Sequence, residues 1–350
     1  MYYSKKQVLS LLERVYNDSS CILCGEQCDG GRQLPSVMLE NYAKAAGGKM
    51  PAVIGIDLAC YGLQLPAVGV GTETWNRMIA DLKDFASKGG IITASSHFSN
   101  PSKECSIEGN CRGAFGDGSI KAWDELLTDG TEYNKKIKEE LRIDGLFLKE
   151  LDSAGIPVLW RPLHEVNGGW FWFCGKSPEH DNGFVDPSYM KRFWKMIYDM
   201  YTVEMGMKNL IWVYGPNVAN GKWLKDVMYY YPGDDMCDVV GLDWYTDSKA
   251  EINYPDHSYD KLMATGKPVA ITEFGIGWKL YDPEQPKQEK IFNSLDMIAL
   301  MKDLKSKGLK ISYVLTWAGK SGSLAFLGKA DEALRDPFAI TLDKVEKMYE

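Results

Sequence analysis

The segment VLWRPLHE, residues 158–165, begins as an apolar run and ends on a histidine and a glutamate. Short apolar runs of this length are typical of buried strands. Seven further segments are equally short and rich in apolar or β-branched residues, and they lie at 20–27, 52–57, 91–98, 210–217, 239–245, 269–275 and 311–319. Segments with helical periodicity separate them, the clearest being 74–86, 135–153, 187–205 and 287–306. The chain therefore alternates strands with helices.

This alternation predicts an α/β fold in which eight parallel strands close into a (β/α)8 TIM barrel. A doubly wound open sheet is the competing architecture. It usually carries a glycine-rich turn after its first strand, and Gly25-Glu26-Gln27 lacks that fingerprint. We expect a single catalytic domain over residues 1–350. An amphipathic helix is predicted at about 1–17, and a long loop at about 99–131 after the third strand is expected to lie over the active face.

The composition narrows the classes of partner. The formal net charge is −8, which disfavours nucleic acid, because its phosphates attract basic surfaces. No apolar run approaches the roughly 18 residues that a membrane span requires, so no membrane partner is expected. The 11 Trp and 19 Tyr residues are suited to a site that needs flat apolar faces, such as one that binds sugar rings.

The compartment is left open by the sequence. The N-terminal segment is interrupted by charges and is not a signal peptide, so the protein is either intracellular or has lost a signal. Cys105 and Cys111 bracket a short loop and could close a small disulfide. Cys21, Cys24 and Cys28 are close in sequence, but no second cluster with zinc-ligand spacing accompanies them. We therefore predict no metal site and no cofactor.

The residues capable of chemistry collect where the predicted strands end. In parallel barrels these ends form one rim, and the reacting groups stand there. The rim residues are His97 after strand 3, Arg161, His164 and Glu165 on strand 4, Tyr245 on strand 6, Glu273 on strand 7 and Trp317 on strand 8. Each of them taken alone has an ordinary structural explanation. Their coincidence on one rim favours an active site.

Two carboxyl groups on opposing strands fit the hydrolysis of a glycosidic bond, which needs one protonated and one ionised carboxyl group across the sugar. The aromatic neighbours of Glu165 predict a raised pKa and the role of acid. Arg161 and Tyr245 are expected to bind Glu273 and keep it ionised as the nucleophile. A separation of about 5–5.5 Å would give retention of configuration, and one of about 6.5–9.5 Å would give inversion.

The 13-residue run 160–172, WRPLHEVNGGWFW, resembles the acid/base signature of glycoside hydrolase family 26. Other segments are similar to further parts of that family: 271–275 to the nucleophile strand, 241–245 to the strand that carries a tyrosine beside the nucleophile, Trp317 to the sugar platform on strand 8, and His97 with Asn100-Pro101 to a substrate-binding motif on strand 3. The resemblance covers about residues 20–320.

The resemblance implies an endo-β-1,4-mannanase that works by double displacement in a (β/α)8 barrel, with a β-mannan-type polysaccharide as its partner. His164 would contact the substrate near the cleavage point, and Trp170 and Trp317 would stack on sugar faces. His97, Arg161 and Tyr245 complete the expected substrate-binding set. Because polymeric mannan cannot cross a membrane, we expect a secreted protein, and we expect a monomer.

Two departures from the family pattern bear on the substrate. Ser96 stands where a Trp is frequent, and Phe173-Cys174 replaces a Trp at the end of the aromatic run. We expect both to touch the binding cleft. A mixed-linkage β-1,3-1,4-glucanase or a β-1,3-xylanase with the same two glutamates is the nearest alternative. A non-catalytic sugar-binding barrel would be expected to have lost one carboxyl, and this chain has both. A metal-dependent hydrolase would need clustered His and Asp ligands at strand ends, whereas the sequence has four His and no His-x-His.

Overall fold

The computed structural model describes residues 2–28, 34–59, 64–102, 123–174, 183–218, 224–246, 257–276, 296–318 and 330–349. Its strands are β1 (Ile22–Gln27), β2 (Val53–Asp57), β3 (Ile91–Ser95), β4 (Val158–Arg161), β5 (Leu210–Tyr214), β6 (Val239–Thr246), β7 (Val269–Ile276), β8 (Tyr313–Thr316) and β9 (Ala339–Ile340). Its α-helices are α1 (Lys5–Asn17), α2 (Pro35–Ala45), α3 (Leu65–Val68), α4 (Glu73–Ser87), α5 (Trp123–Leu127), α6 (Glu132–Ser153), α7 (Pro187–Asp199), α8 (Ser258–Met263), α9 (Met297–Ser306), α10 (Ala330–Arg335) and α11 (Leu342–Val345).

The first eight strands form a closed parallel barrel. Each strand from β1 to β7 pairs with the next one along the chain, and β8 pairs back to β1. The two-residue β9 adds to β1 in parallel. Helices lie between the strands, so the predicted (β/α)8 barrel is confirmed. The buried side chains of the described residues form one continuous hydrophobic cluster.

Four strands end earlier than predicted, among them β8, which ends at Thr316, because the chain leaves the sheet before the chemically active residues. β4 ends at Arg161, since the following Pro162 has no N–H to give to a ladder. β3 ends at Ser95 and β5 at Tyr214. The residues expected at these strand ends therefore lie in the turns just above the barrel. Side chains in these turns are not restricted to the alternating inward and outward directions of a regular strand.

The N-terminal helix closes the opposite end of the barrel. Ser4 caps α1 in a capping box with Gln7, and Val8, Leu11, Leu12 and Val15 form its buried face, as the apolar spacing predicts. Lys5 donates to the carbonyl of Leu210, the first residue of β5, at 2.6 Å. α1 therefore packs beneath the amino ends of the strands and leaves the carboxyl ends for the site.

The predicted helices are confirmed where the structure describes them, with small shifts. α4 and α6 contain the predicted segments 74–86 and 135–153. α7 begins at Pro187 after the N-cap Asp186, and it continues as a π-helical turn over Met200–Glu204. The segment 287–306 is described only from residue 296 onward. The helix α2 was not predicted.

Other expectations concern the long loop, the cysteines and the membrane. Residues 103–122 of the predicted 99–131 loop, with Cys105 and Cys111, lie outside the described residues, and the segment that follows them forms the short helix α5. Of the described cysteines, Cys21, Cys24, Cys174 and Cys237 are buried free thiols, and Cys28 is buried as well. In the described part of the chain, no helix is both long enough and apolar enough to cross a membrane.

Candidate active site

Glu273 stands on β7 facing the interior of the barrel mouth and is 3% exposed. Its Oε1 accepts a hydrogen bond from Arg161 Nη2 at 2.6 Å, and its Oε2 accepts one from the Tyr245 hydroxyl at 2.8 Å. Both contacts agree with the predicted ones. The pairing of β6 and β7 shifts register between Leu242 and Asp243, and such irregularities redirect side chains next to active sites. A donor on each oxygen fixes the orientation of the Glu273 carboxyl group.

Arg161 also binds a third acid, Asp243, which was not among the predicted site residues. Its Nη1 donates to Asp243 Oδ2 at 2.6 Å, and Asp243 Oδ1 accepts from the Thr272 hydroxyl at 2.7 Å. Burial alone would lower the pKa of Arg161, but the charges of Asp243 and Glu273 raise it above its ordinary value. The guanidinium therefore stays charged and fixes the orientation of both carboxylates.

Glu165 lies in the turn after β4, where its φ of 50° places a non-glycine residue in the left-handed region. The backbone N–H of Glu165 donates to the carbonyl of Gly215 at 2.7 Å, which ties this turn to the end of β5. Its carboxyl Oε1 accepts from Asn217 Nδ2 at 2.6 Å, and its Oε2 accepts from the indole N–H of Trp170 at 2.8 Å. Burial and the nearby charge of Glu273 raise the pKa of Glu165 to about 8.

The two glutamates face each other at short range. One carboxylate oxygen from each of Glu165, Asp243 and Glu273 lies within 4.8 Å of the others. Three acids at this spacing could in principle ligate a cation. However, Arg161 already places a positive charge on two of them, and a metal there would be repelled by the guanidinium. The donor set is therefore better suited to organic acid/base chemistry than to metal binding.

A chain of hydrogen bonds links three further residues of the rim. His97 Nδ1 lies 2.5 Å from Asp57 Oδ2, and His97 Nε2 lies 3.1 Å from His164 Nε2. Burial and the proximity of His97 and Arg161 lower the pKa of His164 well below its ordinary value, so this imidazole is neutral. Since Asp57 accepts the Nδ1 proton of His97, it determines which ring nitrogens of the pair carry protons.

The two tryptophans expected as sugar platforms are both half-buried at the rim. The ring centroid of Trp317 is 6.2 Å from that of His97, and Trp170 reaches the acid/base candidate through its indole N–H. All eight site residues predicted from the sequence therefore lie at the carboxyl end of the barrel.

The two departures from the family pattern, at Ser96 and at Phe173-Cys174, are buried and do not line the exposed cleft. The prediction that Ser96 touches the cleft is wrong, because its hydroxyl donates to Asp144 in α6 at 2.7 Å, on the outer side of the barrel wall. Phe173 and Cys174 are fully buried, with Phe173 stacked on Phe171. Neither departure is exposed in the cleft, but Cys174 and Phe173 pack behind it, since the Cys174 thiol donates to the carbonyl of Glu165 at 3.9 Å and Phe171 lies against His97.

The structure adds Asp57, Asp243 and Asn217 to the predicted site. Each lies at or near the carboxyl end of a predicted strand, and this position is the sequence feature that could have identified it. The strand-end rule could have selected Asp57 and Asp243. Asn217 lies three residues beyond β5, and only the fold reveals its contact with Glu165.

The sequence model of glycosyl hydrolase family 26 matches residues 3–344. A mannan endo-1,4-β-mannosidase of Bacillus subtilis strain 168 is 32% identical over 281 residues, covering 78% of this chain and 68% of the relative. The mannan endo-1,4-β-mannosidase A and B of Caldalkalibacillus mannanilyticus is 28% identical over 327 residues, covering 90% and 56% respectively. Among solved structures, the Bacillus subtilis mannanase man26 superposes with a TM-score of 0.75 at 26% identity, covering 96% of this chain and 92% of that one.

Proposed function

The chain belongs to glycosyl hydrolase family 26, and from this premise we propose that it is an endo-acting retaining hydrolase of β-1,4-mannosidic bonds in mannan, glucomannan or galactomannan. The observation that carries the proposal is the close approach of Glu165 and Glu273, whose carboxylate oxygens lie within 4.8 Å. That distance fits the short carboxyl separation of retaining enzymes and is too small for the gap that inverting enzymes keep for a water molecule. Relatives named as mannan endo-1,4-β-mannosidases support the choice of mannan.

In the first step, Glu273 attacks the anomeric carbon of the sugar while Glu165 gives its proton to the departing glycosidic oxygen. The bond between that carbon and oxygen breaks, a glycosyl ester with Glu273 forms, and the shortened polymer leaves with a new hydroxyl group. In the second step, Glu165, now ionised, takes a proton from water. The resulting oxygen nucleophile attacks the same carbon and releases Glu273.

The environments of the two acids support this division of roles. Glu273 accepts hydrogen bonds from a guanidinium and a phenol, which hold its carboxyl group in a fixed orientation for attack. The pKa of Glu165 is raised to about 8, chiefly by burial, which keeps it protonated at neutral pH. Burial and the charge of Glu273 also raise the pKa of Tyr245 well above its ordinary value, so its hydroxyl remains a donor to the nucleophile.

The remaining rim residues are proposed to bind the sugar. The aromatic faces of Trp170 and Trp317 suit stacking against sugar rings. His164 is neutral, and it offers a hydrogen-bonding group beside the acid/base without adding a charge that would favour its ionised form. His97, oriented by Asp57, holds His164 in place.

Because the substrate is a polymer, we also propose that the protein acts outside the cell. We further propose that it works as a monomer. A mixed-linkage glucanase or a β-1,3-xylanase is not favoured, since the relatives described above are mannan endo-1,4-β-mannosidases. A test is hydrolysis of mannan, lichenan and xylan in parallel, with the products separated by size. We expect internal cleavage of mannan into short oligosaccharides. Preferential cleavage of lichenan or xylan would contradict the substrate assignment.

A further inference from the structure

We propose that Asn217 is a positioning residue that holds the acid/base Glu165 in its working orientation, and that Asn167 fixes Asn217 in place. This inference rests on the proposed function, since it assigns a role within the same site. Its starting point is the short contact between Asn217 Nδ2 and Glu165 Oε1, at 2.6 Å. An N–H donor on a carboxylate favours the ionised form.

The backbone of Asn217 is held by two hydrogen bonds to the side chain of Asn167. The backbone N–H of Asn217 donates to Asn167 Oδ1 at 2.8 Å, and the carbonyl of Asn217 accepts from Asn167 Nδ2 at 2.8 Å. Asn167 is fully buried. These two bonds fix both polar groups of the Asn217 backbone. The side-chain amide that donates to Glu165 is therefore attached to an immobilised backbone.

Asn167 lies two residues after Glu165 in the turn that follows β4, and it binds Asn217 in the turn that follows β5. The two turns therefore stabilise each other. Asn167 Nδ2 also donates to the carbonyl of Lys225, and the N–H of Lys225 donates back to the carbonyl of Asn167, both at 3.0 Å. Glu165 itself is tied to Gly215 through its backbone N–H. A β-carbon on Gly215 would come within 2.6 Å of Arg161 Cδ, so the site leaves no space for a side chain at this end of β5.

The contact has a consequence for each step of the reaction. Burial and Glu273 raise the pKa of Glu165 to about 8, while the hydrogen bonds of Asn217 and Trp170 act in the opposite direction. Without Asn217 the acid would hold its proton more tightly, and it would keep the hydrogen bond from Trp170 but lose the one that fixes Oε1. It would then protonate the leaving oxygen less readily, and its ionised form would be a less well-directed base in the second step.

The experiment compares Asn217→Ala, Asn217→Asp and wild type over a pH series, on mannan and on a 2,4-dinitrophenyl β-mannobioside. The latter has a leaving group that departs without protonation. Asn217 is partly exposed, so its truncation should be tolerated. The nearly isosteric Asn217→Asp variant keeps the test valid if Asn217→Ala fails to fold, because its carboxyl group also removes the amide donor. The matched control is Asn209→Ala, which loses one side-chain hydrogen bond at the other end of the same strand.

We expect the alkaline limb of kcat/KM on mannan to move up by about one pH unit in Asn217→Ala and further in Asn217→Asp, whose carboxylate adds a like charge beside Glu165, with turnover at the optimum reduced roughly tenfold. The first chemical step on the dinitrophenyl substrate should change much less, and Asn209→Ala should match wild type. An unmoved limb, or an equal loss on both substrates, would overturn the role of Asn217. If wild type itself does not cleave mannan, the failure lies instead with the proposed function.

Discussion

Glu165 and Glu273 are the residues whose replacement separates the two halves of the proposed reaction. Glu165→Ala should lower kcat on mannan roughly a hundredfold to ten-thousandfold, because general acid assistance is lost. With the dinitrophenyl β-mannobioside the first step should survive and the second should become limiting. Added azide fits the space left by the carboxyl group, and it should restore turnover and yield a β-glycosyl azide.

Glu273→Ala is the matched comparison for that experiment. It should abolish turnover on both substrates, and azide should give only the α-glycosyl azide, since the anion would replace the nucleophile itself. Mass spectrometry and NMR of the azide adducts distinguish the two cases. Wild-type turnover in either variant, or the same anomer of the azide from both, would contradict the assigned roles.

The pKa of Glu165 predicts the shape of the pH profile. The first step requires the protonated acid, so kcat/KM on mannan should fall as pH rises through about 8, the pKa to which burial and the charge of Glu273 raise this group. The dinitrophenyl substrate needs no proton and should lack this limb. An alkaline limb close to pH 5 on mannan would mean that the carboxyl group has an ordinary pKa.

At the scale of elements, a buried lysine joins the N-terminal helix to the barrel. Lys305 on α9 is 2% exposed, and its ammonium donates to the carbonyls of Val15, Asp18 and Cys21 at 2.8, 2.6 and 2.6 Å. Val15 lies in the last turn of α1, where carbonyls lack partners within the helix. Lys305 therefore caps α1 and fixes it to the chain that enters β1.

Lys305→Met should destabilise the fold by about 3 kcal/mol, because three carbonyl groups lose their donor in a buried place. Lys307→Met is the control, since Lys307 makes only an exposed pair with Asp303, and its loss should change stability by less than about 1 kcal/mol. The midpoint of urea unfolding measures both. Equal midpoints for the two variants would show that the buried contacts contribute nothing beyond a surface ion pair.

The strand ends show why the elements could be located from sequence better than their boundaries. The apolar runs mark which segments enter the barrel wall, and each predicted run overlaps one of the first eight strands. They do not mark where the ladder stops, because Leu163 is as apolar as a strand residue but follows Pro162 and lies in the turn. The left-handed conformation of Glu165 is a tertiary effect, imposed by its contacts with the end of β5.

At the scale of the whole molecule, closure of the barrel explains which site residues could be predicted. Alternation of strand and helix brings the ends of β4 and β7 to one rim, so Glu165, Glu273 and Arg161 follow from the fold class. The position of Asp57 at the end of β2 could have selected it, but its contact with His97, like that of Asn217 with Glu165, joins residues distant in sequence, and no local pattern marks such a contact. Ser96 illustrates the converse, because its position beside His97 suggested the cleft while its side chain faces α6.

The central claim is that Glu165 and Glu273 together cleave β-mannosidic bonds with retention. The most direct test is a proton NMR time course of the anomeric signals during hydrolysis of a β-1,4-manno-oligosaccharide, recorded before mutarotation equilibrates the products. Double displacement predicts that the newly formed reducing ends appear first as the β-anomer, with the α-anomer growing in later. Initial release of the α-anomer would mean direct attack by water and would contradict the role of Glu273 as a covalent nucleophile.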